Sequence, residues 1–239
     1  MNSSATDYLK LYKIQDRVVL ALKEELDGFY LTGGTALGRY YLDHRYSEDL
    51  DFFVNADAEF SNKLNRIFRK LKDAFPIDEE LSLLTDSYAR LYIAGENRLK
   101  IDFVNDVPEH WSTLQNADGL MIDNPANILA NKLCAILNRD EPKDVFDIVA
   151  ISSEYSFKWR DVYFQAARKQ LINETDIAIR LSSFPVNLLA NQLWMNSVVD
   201  HRDFANKLQS ISNDLTFGRE NSLGLGKHNI EEAQLVTVV

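Results

Sequence analysis

Asp49 and Asp51 alternate with Leu50 and Phe52 inside the segment GGTALGRYYLDHRYSEDLDFF, residues 33–53. In an extended strand this alternation sends both carboxylates to one face and the two apolar side chains to the other. Two carboxylates about 4 Å apart repel by about 4 kcal/mol at an effective dielectric of 20. A divalent cation between them turns that cost into attraction. The run RLKIDFV, residues 98–104, repeats the pattern, with Leu99, Ile101 and Phe103 on one face and Arg98, Lys100 and Asp102 on the other. Laid beside the first strand, it brings Asp102 to Asp49 and Asp51. Three carboxylates on adjacent strands can hold two metal ions about 4 Å apart, a geometry suited to in-line phosphoryl displacement. Oxygen ligands without a His or Cys cluster favour Mg²⁺ or Mn²⁺ over zinc.

Gly33 and Gly34 stand between a short strand candidate, FYLT (29–32), and a helix candidate from Thr35 to Tyr41. Glycine permits close backbone approach to a phosphate, and a helix N-terminus favours anions. A triphosphate near the carboxylates is therefore expected. An isolated D-x-D is most often a solvated strand end, and a Gly-Gly pair is usually only a turn. The ordered combination of strand, Gly-Gly, helix, D-x-D and a later acidic strand is what points to catalysis.

Other motif readings fail on details. No G-K-[ST] follows the glycines, which excludes a P-loop. The spacing G-G-T-A-L-G is not G-x-G-x-x-G, and a dinucleotide fold leaves Asp49 and Asp102 without a role. Glycosyltransferases use D-x-D with a metal, but 48 residues ahead of the motif are too few for their nucleotide-binding half. Ser47 lacks a His partner for a serine nucleophile. His44 reads as a turn residue and Cys134 as core.

The elements that must position these groups follow from periodicity. Helices are expected over 7–27, 58–75, 125–138, 142–152, 159–170, 174–182, 185–195 and 200–214. Strands are expected over 49–54, 80–85, 89–94 and 98–104. This predicts an α+β chain: a mixed-sheet core over 1–118, a helical domain over 119–214 and a loose tail over 215–239. Lys132 and Arg139 are seven apart on one helix face. Lys143 and Asp147 have the i,i+4 spacing of a surface pair. The helix at 58–75 carries Lys63, Arg66, Arg69, Lys70 and Lys72, a candidate contact for an RNA backbone.

Composition sets the bounds. A 239-residue chain can bury a sizeable core unaided. One Cys excludes an internal disulfide and a Cys-based zinc cluster. No signal peptide and no apolar run near 18 residues is seen, so a cytoplasmic protein with no membrane partner is expected. The net charge of −10 argues against indiscriminate nucleic-acid binding.

The segment at 33–53 resembles the signature of the AbiEii/AbiGii-type nucleotidyltransferase toxins, in the DNA polymerase β-like nucleotidyltransferase superfamily. KIDFV (100–104) is similar to the second acidic strand of that family. NILANKLCAILNRDEPKDVFDI (127–148) is similar to its lysine helix and the element that follows, with Lys143 where many relatives carry Arg. The resemblance spans roughly residues 28–152 and implies a polymerase β-like core followed by helices. It implies that Gly33, Gly34 and Thr35 cradle the triphosphate and that Asp49, Asp51 and Asp102 bind Mg²⁺ or Mn²⁺. It further implies that Lys132 contacts the phosphates and that Asp144 or Asp147 lies at the site edge. Arg45 and Ser47, just ahead of the D-x-D, are candidates for orienting phosphates. The implied activity is transfer of a nucleotide from an NTP to an acceptor, with tRNA as the expected acceptor and a separate antitoxin as a partner. A small molecule such as an aminoglycoside, or a protein side chain, is the alternative acceptor. A non-catalytic, partner-binding member of the fold is the alternative of another class.

Overall fold

The computed structural model describes residues 5–236. Helix α1 (Ala5–Leu22) leads into β1 (Tyr30–Thr32), α2 (Gly33–Leu37) and a π-helical turn over Gly38–Leu42. β2 (Leu50–Asn55), α3 (Phe60–Ala74), β3 (Leu83–Leu84), β4 (Tyr88–Ile93) and β5 (Leu99–Asp106) follow. The hairpin β6 (Gln115–Ala117) and β7 (Leu120–Ile122) precedes α4 (Pro125–Asn138), α5 (Pro142–Glu154), α6 (Trp159–Lys169), α7 (Glu174–Ser182) and α8 (His201–Thr216). Among the described residues no helix is long and apolar enough to cross a membrane.

The seven strands form one mixed sheet in the order β3-β4-β5-β2-β1-β7-β6. β2 and β5 run parallel and adjacent, with Asp51 opposite Asp102. Their alternation is the one expected: Leu50, Phe52, Leu99, Ile101 and Phe103 are fully buried. α3 packs its apolar stripe, Phe60, Leu64, Ile67 and Leu71, into the same core. The sheet reaches Ile122, past the expected boundary at 118, and one continuous apolar cluster extends from it into the C-terminal helices.

The loop 43–48 ahead of the D-x-D is clamped from two sides. From α1, the buried Gln15 donates to the Ser47 carbonyl at 3.1 Å, and the Tyr12 hydroxyl accepts from the Ser47 backbone N–H at 3.1 Å. Tyr8 stacks on Tyr46 at 4.6 Å. From the other side, the Trp194 carbonyl accepts from the Tyr46 N–H at 2.7 Å, and Asn196 donates to the Asp43 carbonyl at 2.8 Å. This second clamp corrects the expected helix at 185–195. The segment forms only a short 3₁₀ turn, Val186–Leu189, and then a turn with Asn191 at φ +60°. Its course is set by burial of Trp194 against Phe146 and the loop, which outweighs local helix propensity.

The tail also departs from expectation. Residues 219–230 run back beside 156–159, where Ser156 N–H donates to the His228 carbonyl and Ile230 N–H to the Ser156 carbonyl. Asn221, 1% exposed, donates to the carbonyls of Ser152 and Tyr155 at 2.7 and 2.8 Å, satisfying the C-terminal end of α5. A sequence without apolar period thus packs through backbone and amide hydrogen bonds. Asn221→Ala should destabilise the fold by about 1–3 kcal/mol, because it strands two buried carbonyls. Urea unfolding followed by circular dichroism checks this, and an unchanged midpoint would mean that the tail contributes nothing.

Candidate active site

A cleft of about 730 Å³ opens between one face of the sheet and helices α4, α5 and the end of α6. Its size suits a nucleotide-sized ligand. Asp49, Asp51 and Asp102 line it together with Gly33, Gly34, Arg45, Ser47, Lys132 and Asp144. Seven basic and seven acidic side chains line the cleft, so it is balanced in charge while the chain as a whole carries −10.

The glycine corner is shaped by its protein neighbours. Gly33 sits at φ +69°, and a Cβ there would lie 2.7 Å from the Asp51 carboxylate. A Cβ on Gly34 would collide with the Arg45 guanidinium. Both positions therefore demand glycine before any ligand is considered. Thr35 is a correction to the expected cradle. It is fully buried and outside the cleft lining, and its hydroxyl donates to the Asp49 backbone carbonyl. Its contact fixes the position of the D-x-D instead.

The sheet face presents the three aspartates, but not as a bare carboxylate cluster. Lys100, two residues before Asp102, places Nζ 2.8 Å from Asp49 Oδ2 and 3.6 Å from Asp102 Oδ2. Arg90, opposite Asp102 on β4, forks its carboxylate with two hydrogen bonds of 2.9 Å. Tyr88 donates to Asp102 Oδ1 at 3.1 Å. Among the described residues, Asp51 forms no salt bridge or hydrogen bond through its side chain. Burial, then Asp49 and Asp102, pushes its carboxyl up to about 6. As the side chains stand, no group of three His, Cys, Asp or Glu among the described residues is set to hold a metal ion.

Across the cleft lies a buried charge network. Asp144 and Asp147 are three apart on α5, so both face α4. Asp147, with no exposed surface, accepts from Arg45 through Nε at 2.6 Å and Nη2 at 2.7 Å. It also meets Lys132 Nζ at 2.7 Å and His44 Nε2 at 2.7 Å. Lys132 Nζ lies 2.6 Å from Asp144 Oδ1, and Arg139 forks the same carboxylate at 2.7 and 3.0 Å. Burial alone would raise the Asp147 carboxyl, but Arg45, Lys132 and His44 hold it well below the usual carboxylate range. Burial lowers the His44 pKa, and its Nε2 donates to the Asp147 carboxylate, which can only accept.

The structure thus brings Asp49, Asp51, Asp102, Gly33, Gly34, Arg45, Ser47, Lys132 and Asp144 into one cleft. Asp147 lies behind it, outside the lining, where it holds the cations that reach in. Lys143 does not pair with Asp147 as its spacing suggests; it bonds Glu48 at 2.8 Å. Cys134 is half-buried at the cleft wall, with its thiol pushed up to about 11 by burial. The basic helix α3 is largely paired within the chain, Lys63 to Asp57, Arg66 to Glu25 and Lys72 to Glu79. Sequence reasoning missed Arg90, Tyr88 and His44. The alternation of YARLYI on β4 carries the signal for the first two, since Arg90 shares the polar face with Tyr88 and Tyr92.

Removing one partner from a buried ion pair leaves the others uncompensated. Asp147→Asn should therefore cost about 3–5 kcal/mol at pH 7, measured by urea unfolding. A carboxylate held low contributes stability that is full above its unfolded value, about 3.9, and is lost as pH falls toward the folded value. The difference between wild type and variant should hold down to about pH 4 and shrink below it. A cost below about 1 kcal/mol at pH 7 would show that the network does not hold the fold.

Solved structures with this fold include JHP933 from Helicobacter pylori, at 24% identity and a TM-score of 0.57, covering 88% of this chain and 92% of that one. MenT4, a nucleotidyltransferase toxin from Mycobacterium tuberculosis, aligns at 15% identity and a TM-score of 0.59, covering 89% of this chain and 85% of its own. No match is found among curated proteins. The family model for the nucleotidyl transferase AbiEii toxin of type IV toxin–antitoxin systems matches residues 17–217. With a polymerase β-like core and the cleft residues of both motifs inside that span, the chain belongs to the AbiEii nucleotidyltransferase toxin family.

Proposed function

We propose that the cleft binds an NTP with a divalent cation, Mg²⁺ or Mn²⁺, and passes the nucleotide to a tRNA acceptor, releasing pyrophosphate. The observation that carries this reading is the β2–β5 register, which sets Asp49, Asp51 and Asp102 on one sheet face across a cleft from Arg45 and Lys132. In the family to which the chain belongs, that arrangement has a direct chemical use.

The donor set fits a hard cation in chemistry. It is all oxygen, and Asp51 carries a carboxylate without a cationic partner among the described residues, raised by burial and then by its acidic neighbours. Asp49 and Asp51 would hold the cation, and Asp102 would border it. Bound there, a divalent cation supplies charge stabilisation to the phosphoryl oxygens. Gly33 and Gly34 keep the corner free of side chains, so that phosphates approach the backbone. Arg45 and Lys132 aim positive charge at them, and Ser47 offers a hydroxyl beside Gly34. Asp144 and Asp147 act as positioning residues: they hold the cations in place and have no need to touch the substrate. Val104, Ile128 and Ala135 provide apolar wall for the base.

Support for tRNA comes from the family resemblance, to which the surface adds half-exposed Arg90 and Arg139 at the cleft. An antitoxin partner is proposed on the same ground, since the family is that of type IV toxin–antitoxin systems.

Loss of several kcal/mol of transition-state stabilisation corresponds to roughly two to four decades in rate. Asp51→Asn and Asp49→Asn should each slow incorporation of labelled nucleotide into total tRNA by that much. A variant with near wild-type incorporation would remove the carboxylates from the mechanism. Label entering protein or a small acceptor, and never RNA, would move the activity to that acceptor.

A further inference from the structure

The register of β2 and β5 pairs Leu50 with Ile101 and Asp51 with Asp102, which places Lys100 across from Asp49. Its ammonium lies between carboxylates on the two adjacent strands, 2.8 Å from Asp49 Oδ2 and 3.6 Å from Asp102 Oδ2. The side chain is three-quarters buried, so this is no loose surface lysine. Asp102 is further occupied by the Arg90 fork and the Tyr88 hydroxyl. Of the three acids on this face, Asp51 alone keeps its oxygens clear of a cation among the described residues.

Resting on the nucleotidyltransferase reading, we propose that Lys100 is a resident cation that replaces one of two metal ions, so that the site takes a single divalent cation. The ammonium lies between Asp49 and Asp102, the carboxylates that a second ion would need. A second dication there would meet both a fixed positive charge and an Asp102 already satisfied by Arg90. The β2–β5 register presents Lys100 to this position, with its ammonium opposite Asp49. The remaining vacancy in charge is at Asp51, where one cation is accommodated by Asp51 and Asp49. The sequence hypothesis of two ions on three bare carboxylates is thereby narrowed to one ion, two carboxylates and a lysine.

The test counts ions directly. Mn²⁺ retained with the full chain after gel filtration from saturating Mn²⁺ and a non-hydrolysable NTP analogue is counted by electron paramagnetic resonance after acid release, with the ion that arrives on the nucleotide included in the count. Wild type should bind one Mn²⁺ per chain, Lys100→Met should bind two, and Lys100→Arg should remain at one. Thermal unfolding of each variant establishes that it is folded, and the wild-type count stands even where a variant is not. Two ions in wild type, or one ion in a folded Lys100→Met, would overturn the role of Lys100 while leaving the nucleotidyltransferase reading intact. No ion in wild type would overturn the metal reading itself, and this inference with it.

Discussion

The Asp147 carboxylate, sealed from solvent, is the constraint around which the molecule is organised. An unpaired charge at that depth would be too costly to keep, so the chain must deliver cations to it. It does so from separate segments: Arg45 from the loop ahead of the D-x-D, joined by a hydrogen bond from the neighbouring His44, and Lys132 from α4. Each partner is thereby held at a place its local sequence does not specify. Arg45 ends beside Gly34, and the absence of a side chain at Gly34 is what lets it fit. The glycine pair, the loop and the two helices are solved together or not at all. Asp144 extends the same logic to Arg139 and shares Lys132.

The two walls of the cleft work by different electrostatics. On the helical side, Asp144 and Asp147 are buried and hold Lys132 and Arg139, which line the cavity. On the sheet side, carboxylates face the cavity and Lys100 and Arg90 lie among them. The result is a balanced cleft in an acidic protein. A polyanion is repelled by the bulk of the surface and meets positive charge where Arg45, Lys132 and Arg139 converge. Field of this kind favours entry at one place over adsorption elsewhere.

Much of this was legible in the sequence because it rests on period two. Alternation in DLDFF and LKIDF gave the shared face of Asp49, Asp51 and Asp102, and the apolar alternates gave the core. What the sequence hid were contacts between distant segments. Nothing local tells that Thr35 turns inward to the Asp49 carbonyl, or that Lys143 prefers Glu48 to its helical neighbour. Arg90 lies twelve residues before Asp102 and meets it only through strand pairing. The tail has no hydrophobic period because backbone pairing with 156–159, and the amide of Asn221, hold much of it. Residues 185–195 carry enough apolar side chains to suggest a helix. Trp194 settles their path by packing on Phe146.

The shared carboxylate has a mechanical consequence. Enzymes that hinge around a substrate keep the contacts between their jaws weak and wet. Here the jaws are riveted: one anion, shut away from water, is gripped from both. Swinging them apart at this junction would strand it among unbalanced charges, so any widening of the cleft has to leave the junction in place.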